Sequence, residues 1–471
     1  MDLGATFMRE SDAFSWYMEK DPELRATVVG IAWLDKAPPW NQLCSRQERA
    51  TRAAPEFRRR LLEPPARLAT PRWATDPAFD LSWHLRRIVS PPPHTEETVL
   101  EMARHAAMTG FDRSRPLWEF TLVEGLQGRR AALIMKLHHS LTDGIGGVQL
   151  AALLFDDHPV RSLGGRLSEA PPGETVSRSV LTLEAMRRST GRATRAAARV
   201  VSSWPAAFTG LVRHPVTTAR DLADTALSVG RTVKPVRATL SPLVVNRGRA
   251  RRLHMLSVPL EELKAAAGAA GGTVNDGFLA AVTGGLRRYH EHHGARVGDL
   301  LLTMPISIRK PDDPVGGNRI TLMRFPVPAG IADPAERIRA IDARCRRARA
   351  ERSLPLTDAI AGVLNLLPSA VLGGMLKHVD FLASDVPGFP RPIFLCGVPV
   401  SGYYAFGPTI GAALNTTLFS YQSQCCIGVT VDTDAIPDDD VIVDCLEQGF
   451  DEVLGRNQPV PLRSEMEATS C

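Results

Sequence analysis

Lys136-Leu137-His138-His139-Ser140-Leu141-Thr142-Asp143-Gly144 leads from an apolar segment into two histidines, an aspartate and a glycine. The residues before it, 131–135, are short, apolar and typical of a β-strand. Residues 144–154 have the apolar spacing of a helix with a glycine-rich first turn. The sequence therefore predicts that the two histidines lie where a strand gives way to a helix.

The two histidines are candidates for proton transfer. Neighbouring side chains on a strand point to opposite faces, so His138 and His139 share a cavity only if the strand has already ended. A neutral imidazole, with a pKa of about 6.5, can accept a proton from a hydroxyl or thiol and return it to a leaving group. The residues alone leave open which histidine is the base, and a partly buried structural pair is the alternative.

Asp143 and Gly144 have supporting roles in this prediction. Placed just before a helix, Asp143 can cap that helix or hold a cation, and either contact would fix the loop that carries the histidines. Gly144 supplies backbone freedom where a side chain would crowd the loop. We predict no metal centre.

Length and composition predict a two-domain globular protein. The chain has 471 residues, of which 44% are hydrophobic and 23% charged, and about 100 to 200 residues is usual for one domain. Its cysteines are odd in number and form no Cys-x-x-Cys pair: Cys44, Cys345, Cys396, Cys425, Cys426, Cys445 and Cys471. We therefore expect reduced thiols in a cytoplasmic protein.

Two segments bear on targeting. The N-terminal residues lack a basic region followed by an apolar one, so we expect no secretory signal. Residues 359–376 form an uncharged, largely apolar stretch just long enough to raise the question of a membrane span. Asn365, Pro368 and the pair Gly373-Gly374 interrupt it. We therefore predict a buried helix or a surface that leans on lipid.

Alternating strands and helices predict an α/β domain up to about residue 157, and the alternation begins again at Leu253. We divide the chain into an N-terminal domain at 1–160, a basic helical linker at 161–252 and a C-terminal domain at 253–471. The predicted strands include 27–34, 253–259, 301–309 and 427–431, and the predicted helices include 95–109, 273–289 and 441–454. Only the first half contains His-x-x-x-Asp, so we expect the base there.

Positive charge is concentrated in the predicted linker. Between Arg178 and Arg252, fifteen Lys and Arg residues stand against three Asp and Glu, a net charge of +12 in a chain whose total is +5. Four arginines have the spacing that lines one face of a helix: Arg188, Arg192, Arg195 and Arg199. Anionic lipid head groups or the phosphates of a nucleotide cofactor fit this stripe, and a solvated helix face is the alternative. We expect no nucleic acid, because neither aromatic residues nor a binding motif accompany the stripe.

The spacing His-His-x-x-x-Asp-Gly, from His138 to Gly144, resembles the signature of the coenzyme A-dependent acyltransferase superfamily. Its members include chloramphenicol acetyltransferases, condensation domains of peptide synthetases and the bacterial wax ester synthase/diacylglycerol acyltransferase family. The motif alone does not choose among them.

An ordered set of further motifs resembles the last of these families and extends from Ser11 to Leu454. Before the histidines come Phe79-Asp80-Leu81 with His84-Leu85-Arg86, and then Pro116-Leu117-Trp118. After them come Thr273-Val274-Asn275-Asp276, Pro305 to Arg309, Gly317-Asn318-Arg319, Ser384 to Gly388, and Leu414-Asn415-Thr416-Thr417 followed by Ser420-Tyr421.

This resemblance implies an α/β (α+β) fold of two chloramphenicol-acetyltransferase-like domains, each a mixed sheet flanked by helices, with the active-site channel between them. It implies an O-acyltransferase that moves a long-chain fatty acyl group from acyl-CoA to diacylglycerol, to a long-chain alcohol or to both. Acyl-CoA would be a cosubstrate, and no cofactor would be bound permanently. The arginine stripe and residues 359–376 lead us to expect peripheral association with a membrane or lipid droplet.

The resemblance also implies roles for individual residues. His139, the second histidine of the motif, would be the general base that deprotonates the acceptor hydroxyl and then protonates the departing CoA thiolate. His138 would support the loop. Asp143 would be structural, with Arg309 as its expected ion-pair partner.

The other motifs have alternative roles. Pro116-Leu117-Trp118 either touches substrate or forms a turn with a packed indole, and Asn275-Asp276 either touches substrate or caps the helix that follows. Asn415, Ser420 or a backbone amide would stabilise the oxyanion that acyl transfer generates.

Two departures from the family pattern affect these expectations. The family usually has Asn where this chain has Asp385, which would alter a hydrogen bond at the site. Residues 24–30 lack the family's Pro-Met-His-Val-Gly pattern, which affects N-terminal contacts and acceptor choice. The competing functions are a condensation-type or polyketide-associated acyltransferase, which should have a neighbouring carrier domain, and a catalytically inactive lipid-binding homologue.

Overall fold

The computed structural model describes residues 7–141, 147–148, 151–159, 167–192, 194, 220, 223–225, 227–230, 236–307, 320–351, 354–367, 374 and 376–456. Several predicted features lie outside these residues, namely Asp143, Gly144, Arg195, Arg199, Arg309 and Gly317-Asn318-Arg319.

Regular elements alternate along the described chain. The N-terminal part contains α1 (Glu10–Met18), β1 (Thr27–Leu34), α2 (Trp40–Ala53), β2 (Arg59–Leu62), β3 (Arg72–Thr75), α3 (Leu81–His84), β4 (Leu85–Val89), α4 (Glu96–Met108), β5 (Trp118–Glu124) and β6 (Ala131–His138). The C-terminal part contains β7 (Arg251–Pro259), α5 (Leu260–Ala269), α6 (Val274–His292), β8 (Asp299–Ser307), β9 (Ile320–Pro328), α7 (Pro334–Arg349), α8 (Thr357–Leu364), β10 (Val379–Phe389), β11 (Phe394–Leu395), β12 (Val398–Phe406), β13 (Ala412–Tyr421), β14 (Gln424–Asp432) and α9 (Asp439–Val453).

The first six-stranded sheet has the order β11-β12-β1-β6-β5-β4. Strands β1 and β6 are antiparallel, and Thr27 is paired with His138, so the end of β6 meets the start of β1. Strand β12 pairs with the other edge of β1, with Gly30 opposite Ala405. Residues 394–406 therefore join the sheet of the N-terminal part although they follow strands of the other sheet in sequence.

The second six-stranded sheet has the order β7-β14-β13-β10-β8-β9. It is mixed, because β10 runs parallel to β13 and β8 whereas the other neighbours are antiparallel. Buried Phe278 of α6 and Phe450 of α9 stack at 6.3 Å in the core behind it. Two mixed sheets with packed helices confirm the predicted α/β architecture.

The start of α6 shows why these residues form a helix there. Thr273 precedes it, and its backbone N–H and hydroxyl both donate to the Asp276 carboxylate, at 2.9 and 2.6 Å. The capping box satisfies donors that a helix N-terminus otherwise leaves open. Phe278 to Val282 follow as a fully buried run, and since these five residues span more than one turn, the helix is enclosed on all sides here.

The apolar segment 359–376 is described in part. Residues up to 364 belong to α8, whose apolar residues are divided between the protein interior and solvent. Ala361 is buried, whereas Val363 and Leu366 are 66% and 81% exposed. Among the helices of the described ranges, none is both long enough and apolar enough to cross a membrane.

Two arginines of the predicted stripe are described, and both contact the protein itself. Residues 178–192 are helical. The guanidinium of Arg188 lies 4.9 Å from the ring centre of Phe7, and Arg192 forms an ion pair with Glu10. These members of the stripe therefore hold the N-terminal segment.

Candidate active site

The two histidines differ in environment because β6 ends at His138. His138 is fully buried, whereas His139 is only partly buried. The His139 backbone N–H donates to the carbonyl of Ala26, 2.9 Å away, which ties the first residue after the strand to the segment that leads into β1. The strand end thus directs the two imidazoles to different surroundings.

Both ring nitrogens of His138 lie close to polar groups. The backbone N–H of Ser140 donates to Nδ1 over 3.1 Å, and the Ser140 hydroxyl lies 2.7 Å from the same atom. Since an amide N–H can only donate, Nδ1 is the acceptor, and we assign the ring proton to Nε2. Nε2 lies 3.3 Å from the Oε2 atom of Glu19, which is long for a hydrogen bond. His138 is therefore a buried, oriented residue rather than a ring free to accept a proton from substrate.

Glu19, just after α1, was not identified from the sequence. Its carboxylate is buried and also accepts the Ala26 backbone N–H at 2.9 Å. Burial raises the pKa of Glu19, but the contact with the His138 side chain and the hydrogen bond from the Ala26 amide outweigh burial and hold that pKa below its ordinary value. No motif surrounds Glu19, so its position beside His138 follows only from the fold.

Residues of the Pro116-Leu117-Trp118 motif contact His138 and the protein core around it. The carbonyl of Leu117 accepts the His138 backbone N–H at 3.0 Å. The Trp118 indole donates to the Phe57 carbonyl at 2.7 Å and stacks on His84 at 4.6 Å between ring centres. None of the three motif residues lines the cavities described next, so the contacts place them in the packing of the site.

Two largely apolar cavities meet at His139, which lines both. The first has a volume of about 1400 Å³, including the open space at its mouth. It lies between the sheets, and its wall includes Gly30, Phe57, Phe120, Met135, Leu137, Ala151, Leu154, Asp385, Tyr403, Asn415 and Phe419. The second, of about 1240 Å³ on the same measure, is lined by α1, α8, β8 and β9, including Phe14, Thr303, Arg324, Ile360 and Leu364.

Three apolar side chains join His139 at the boundary, because Leu322, Leu382 and Ile410 line both cavities. Ile410 has a backbone φ of +46°, in the left-handed region that β-branched residues rarely adopt. Such strain persists only where surrounding structure enforces it, and it is frequent at functional sites. The surrounding structure therefore holds the backbone at this boundary in its strained conformation.

Asn415 and Ser420 are separated by the structure. Asn415 lines the first cavity, donates to the Pro408 carbonyl at 2.6 Å and accepts from the Thr417 hydroxyl at 3.1 Å. Within the described part of the chain, these contacts occupy one amide hydrogen of Asn415 and not the second. Ser420 instead accepts the backbone N–H of Gly388 at 2.9 Å and lines neither cavity.

Asn275 and Asp276 also lie away from the cavities. Asp276 is buried and forms the capping box of α6, and neither residue lines either cavity. Asp385, by contrast, lines the first cavity. Loss of contact with water raises the pKa of the Asp385 carboxyl to about 6. The Arg349 charge lowers this pKa and the Asp276 charge raises it, but both effects are smaller.

One group in the described part of the chain has the donor set of a metal site. His254, Asp439 and Asp440 bring their ligand atoms within 4.8 Å of one another. His254 already contacts Asp439 at 2.8 Å, and none of the three lines either cavity.

The chain matches known proteins over nearly its whole length. A family model described as the wax ester synthase/diacylglycerol acyltransferase catalytic domain matches residues 8–278, and the C-terminal domain model of the same family matches residues 316–453. The chain belongs to the wax ester synthase/diacylglycerol acyltransferase family. It is therefore an acyltransferase.

Two relatives are similar to this chain over most of its length. A Mycobacterium tuberculosis protein whose name assigns it as a diacylglycerol O-acyltransferase is 34% identical over 449 residues, covering 93% of this chain and 89% of its own. A second protein of that organism, named in the same way, is 28% identical over 470 residues, covering 94% and 89%.

Solved structures share the fold. The wax ester synthase/diacylglycerol acyltransferase from Marinobacter aquaeolei has a TM-score of 0.64 at 23% identity, covering 96% of this chain and 99% of that one. The starter condensation domain of rhizomide synthetase, solved with C8-CoA and Leu-SNAC, has a TM-score of 0.59 at 11% identity, covering 98% and 97%. The two-sheet architecture is thus common to this family and to condensation domains.

Proposed function

We propose that this protein is an acyl-CoA-dependent O-acyltransferase that moves a long-chain acyl group to diacylglycerol, a long-chain alcohol or both. The observation that carries the proposal is the position of His139 where two largely apolar cavities meet, with His138 held by Glu19 and Ser140. The names of the Mycobacterium tuberculosis relatives support diacylglycerol as an acceptor.

His139 acts as the general base in this proposal. Its imidazole removes the acceptor's hydroxyl proton as that oxygen attacks the thioester carbonyl, which gives a tetrahedral intermediate with negative charge on the former carbonyl oxygen. Collapse of the intermediate forms the ester and breaks the bond to sulfur, and the imidazolium returns the proton to the CoA thiolate. General base catalysis of this kind contributes roughly 10²- to 10⁴-fold.

The two cavities give the two substrates separate approaches. Alkyl chains entering from opposite sides would bring the hydroxyl and the thioester carbonyl together at His139, and burying apolar chain contributes about 0.8 kcal/mol per CH₂ group. Holding both reacting groups at one point supplies much of the rate acceleration in such a reaction.

Asn415 is our candidate for the oxyanion donor, because its second amide hydrogen remains available on the wall of the first cavity. Loss of one such donor typically lowers kcat by about 10²- to 10³-fold. Asp143 as a structural residue paired with Arg309 stays a proposal from the family resemblance.

The direct test is release of CoA thiol from palmitoyl-CoA, with dipalmitoylglycerol or hexadecanol as acceptor and the ester product identified by mass spectrometry. We expect thiol release that depends on acceptor and matches ester formation. Binding of palmitoyl-CoA without release, for every acceptor, would support the inactive lipid-binding alternative instead.

We also propose that the protein associates peripherally with a lipid surface through the end of α8. Val363 and Leu366 project apolar side chains into solvent beside Ile360 and Leu364, which line the second cavity. A surface of this kind would let a lipid acceptor pass directly into the cavity. Flotation with vesicles that contain phosphatidylglycerol should fall for Val363→Glu/Leu366→Glu, and equal flotation of both proteins would contradict the proposal.

A further inference from the structure

The second cavity has a polar strip on its largely apolar wall. Arg324 of β9 lines this cavity and is partly buried. Thr303 of β8 lies directly opposite Arg324 in the strand pair and lines the same cavity. Because residues paired across strands place their side chains on the same face of a sheet, the guanidinium and the threonine side chain project together. Among the described residues on this cavity wall, Arg324 is the only Lys or Arg.

The polar strip lies near the reacting centre. Arg324, Thr303 and Leu382 occupy successive positions in one row across β9, β8 and β10. Leu382 lines both cavities together with His139. Two strand spacings, roughly 10 Å, separate the backbones at Arg324 and Leu382, and both residues line the second cavity. A substrate that fills this cavity as far as His139 therefore passes both of them.

The two acceptors make different demands on such a wall. A long-chain alcohol has one hydroxyl and a hydrocarbon chain, so it offers no acceptor group to a guanidinium beyond the reacting oxygen. A diacylglycerol carries two ester groups next to its free hydroxyl, and their carbonyl oxygens lose water when the molecule enters the cavity. Buried carbonyl oxygens need hydrogen-bond donors to replace that water.

Arg324 and Thr303 supply donors suited to this task. A guanidinium offers five N–H donors. Burial lowers the pKa of Arg324, but the ordinary pKa of arginine is so high that the side chain keeps its charge at neutral pH. The Thr303 hydroxyl is buried and has no hydrogen-bond partner among the residues that the structure describes. A ligand with an ester oxygen would satisfy the Thr303 hydroxyl, which an alkyl chain cannot do, and the fork of five N–H groups lets a guanidinium bind a second oxygen in addition to any contact it already makes.

We propose that Arg324, with Thr303 beside it, binds the ester oxygens of a glyceride acceptor in the second cavity, so that diacylglycerol is preferred to a long-chain alcohol. The acyl chain of acyl-CoA then occupies the first cavity. This inference rests on the proposed function, because it requires His139 to act on a hydroxyl at the junction of the two cavities.

The test is the ratio of kcat/KM for dipalmitoylglycerol to that for hexadecanol, with palmitoyl-CoA as donor. In Arg324→Met we expect the ratio to fall roughly 10- to 100-fold, the loss of a hydrogen bond from a charged donor. Thr303→Val should lower it by roughly three- to tenfold, and Arg324→Lys should lie between wild type and Arg324→Met. The control is Arg344→Met, which removes a surface arginine 3.6 Å from Asp299 and away from both cavities, and the ratio should not change.

A second readout separates ester recognition from a general loss of activity. Ethylene glycol dipalmitate has two neighbouring ester groups and no hydroxyl, so it should inhibit transfer to hexadecanol in wild type and do so much less in Arg324→Met. If Arg324→Met does not fold, judged by its melting temperature, the same comparison is made with Arg324→Lys and Thr303→Val.

Three results would overturn the inference. An unchanged acceptor ratio in folded variants would show that Arg324 does not recognise esters. A rise in KM for palmitoyl-CoA with both acceptors equally affected would place Arg324 on the cosubstrate. Inability of wild type to acylate either acceptor would overturn the proposed function itself, and this inference with it.

Discussion

The Nε2 atom of His138 lies 3.3 Å from the Oε2 atom of Glu19, and the Ser140 amide donates to Nδ1 on the other side of the ring. Contacts at both nitrogens fix the orientation of His138 inside the protein. The following residue, His139, is left at the junction of the two cavities. The two adjacent histidines thus have different surroundings: His138 is buried in the protein, and His139 lines both cavities.

Glu19→Gln should reduce both stability and turnover. Glutamine keeps the side-chain shape but loses the charge opposite His138, and we expect a loss of about 1–3 kcal/mol in the free energy of unfolding. A small shift of the histidine loop should lower kcat by roughly 10- to 100-fold. Urea denaturation and acceptor-dependent thiol release measure the two effects, and Glu97→Gln on the exposed face of α4 is the control.

The Glu19 effect should depend on pH in a defined direction. Contacts with His138 and Ala26 depress the folded-state pKa of Glu19 below its ordinary 4.5, so the ionised carboxylate stabilises the fold above that pH. This contribution is lost as pH falls through the folded-state pKa. The stability difference between wild type and Glu19→Gln should stay constant from pH 8 to 6 and shrink below about pH 4.5. A difference independent of pH would contradict the assigned charge.

Trp118→Phe should destabilise the protein by about 2–3 kcal/mol, because the Phe57 carbonyl loses its donor and a buried cavity opens. The control is Trp83→Phe, since Trp83 is 39% exposed and its loss should cost less than about 1 kcal/mol. Thermal or urea unfolding measures both variants. Equal effects would mean that the buried indole contributes no more than a surface ring.

Asp385→Asn should stabilise the protein more at pH 8 than at pH 5. Surrounding protein raises the folded-state pKa of Asp385 to about 6 from the ordinary 3.8. Between those values the unfolded chain has released the proton that the folded chain still holds, so the stability of the wild type falls as pH rises through this window. Asparagine removes that dependence. Melting temperatures at the two pH values measure it, and Asp35→Asn, at an exposed position, should show no such trend.

Local patterns predicted the elements well. The apolar run at 27–34 coincides with β1, the predicted helix at 95–109 contains α4, and Thr273 and Asp276 form the cap that begins α6. Periodicity and capping are properties of neighbouring residues, so they can be read without tertiary contacts. The apolar run at 131–135 predicted a strand that ends near the histidines, and β6 extends to His138.

Long-range relationships were not predictable in this way. Strand β12 crosses to the first sheet, and its pairing with β1 depends on packing between distant segments. Glu19 and Arg324 belong to no motif, and only the fold shows that one lies beside His138 and the other lines the second cavity. The arginine stripe predicted contact with lipid head groups, contact with nucleotide phosphates or a solvated helix face, whereas Arg188 and Arg192 contact Phe7 and Glu10.

The most direct test of His139 as the base is the rate of acceptor-dependent CoA release by His139→Ala, measured with palmitoyl-CoA and saturating acceptor. We expect the rate to fall by about 10²- to 10⁴-fold, while palmitoyl-CoA binding, measured separately by equilibrium titration, is retained. A folded His139→Ala variant that releases CoA within about tenfold of the wild-type rate would contradict the assignment of His139 as the base.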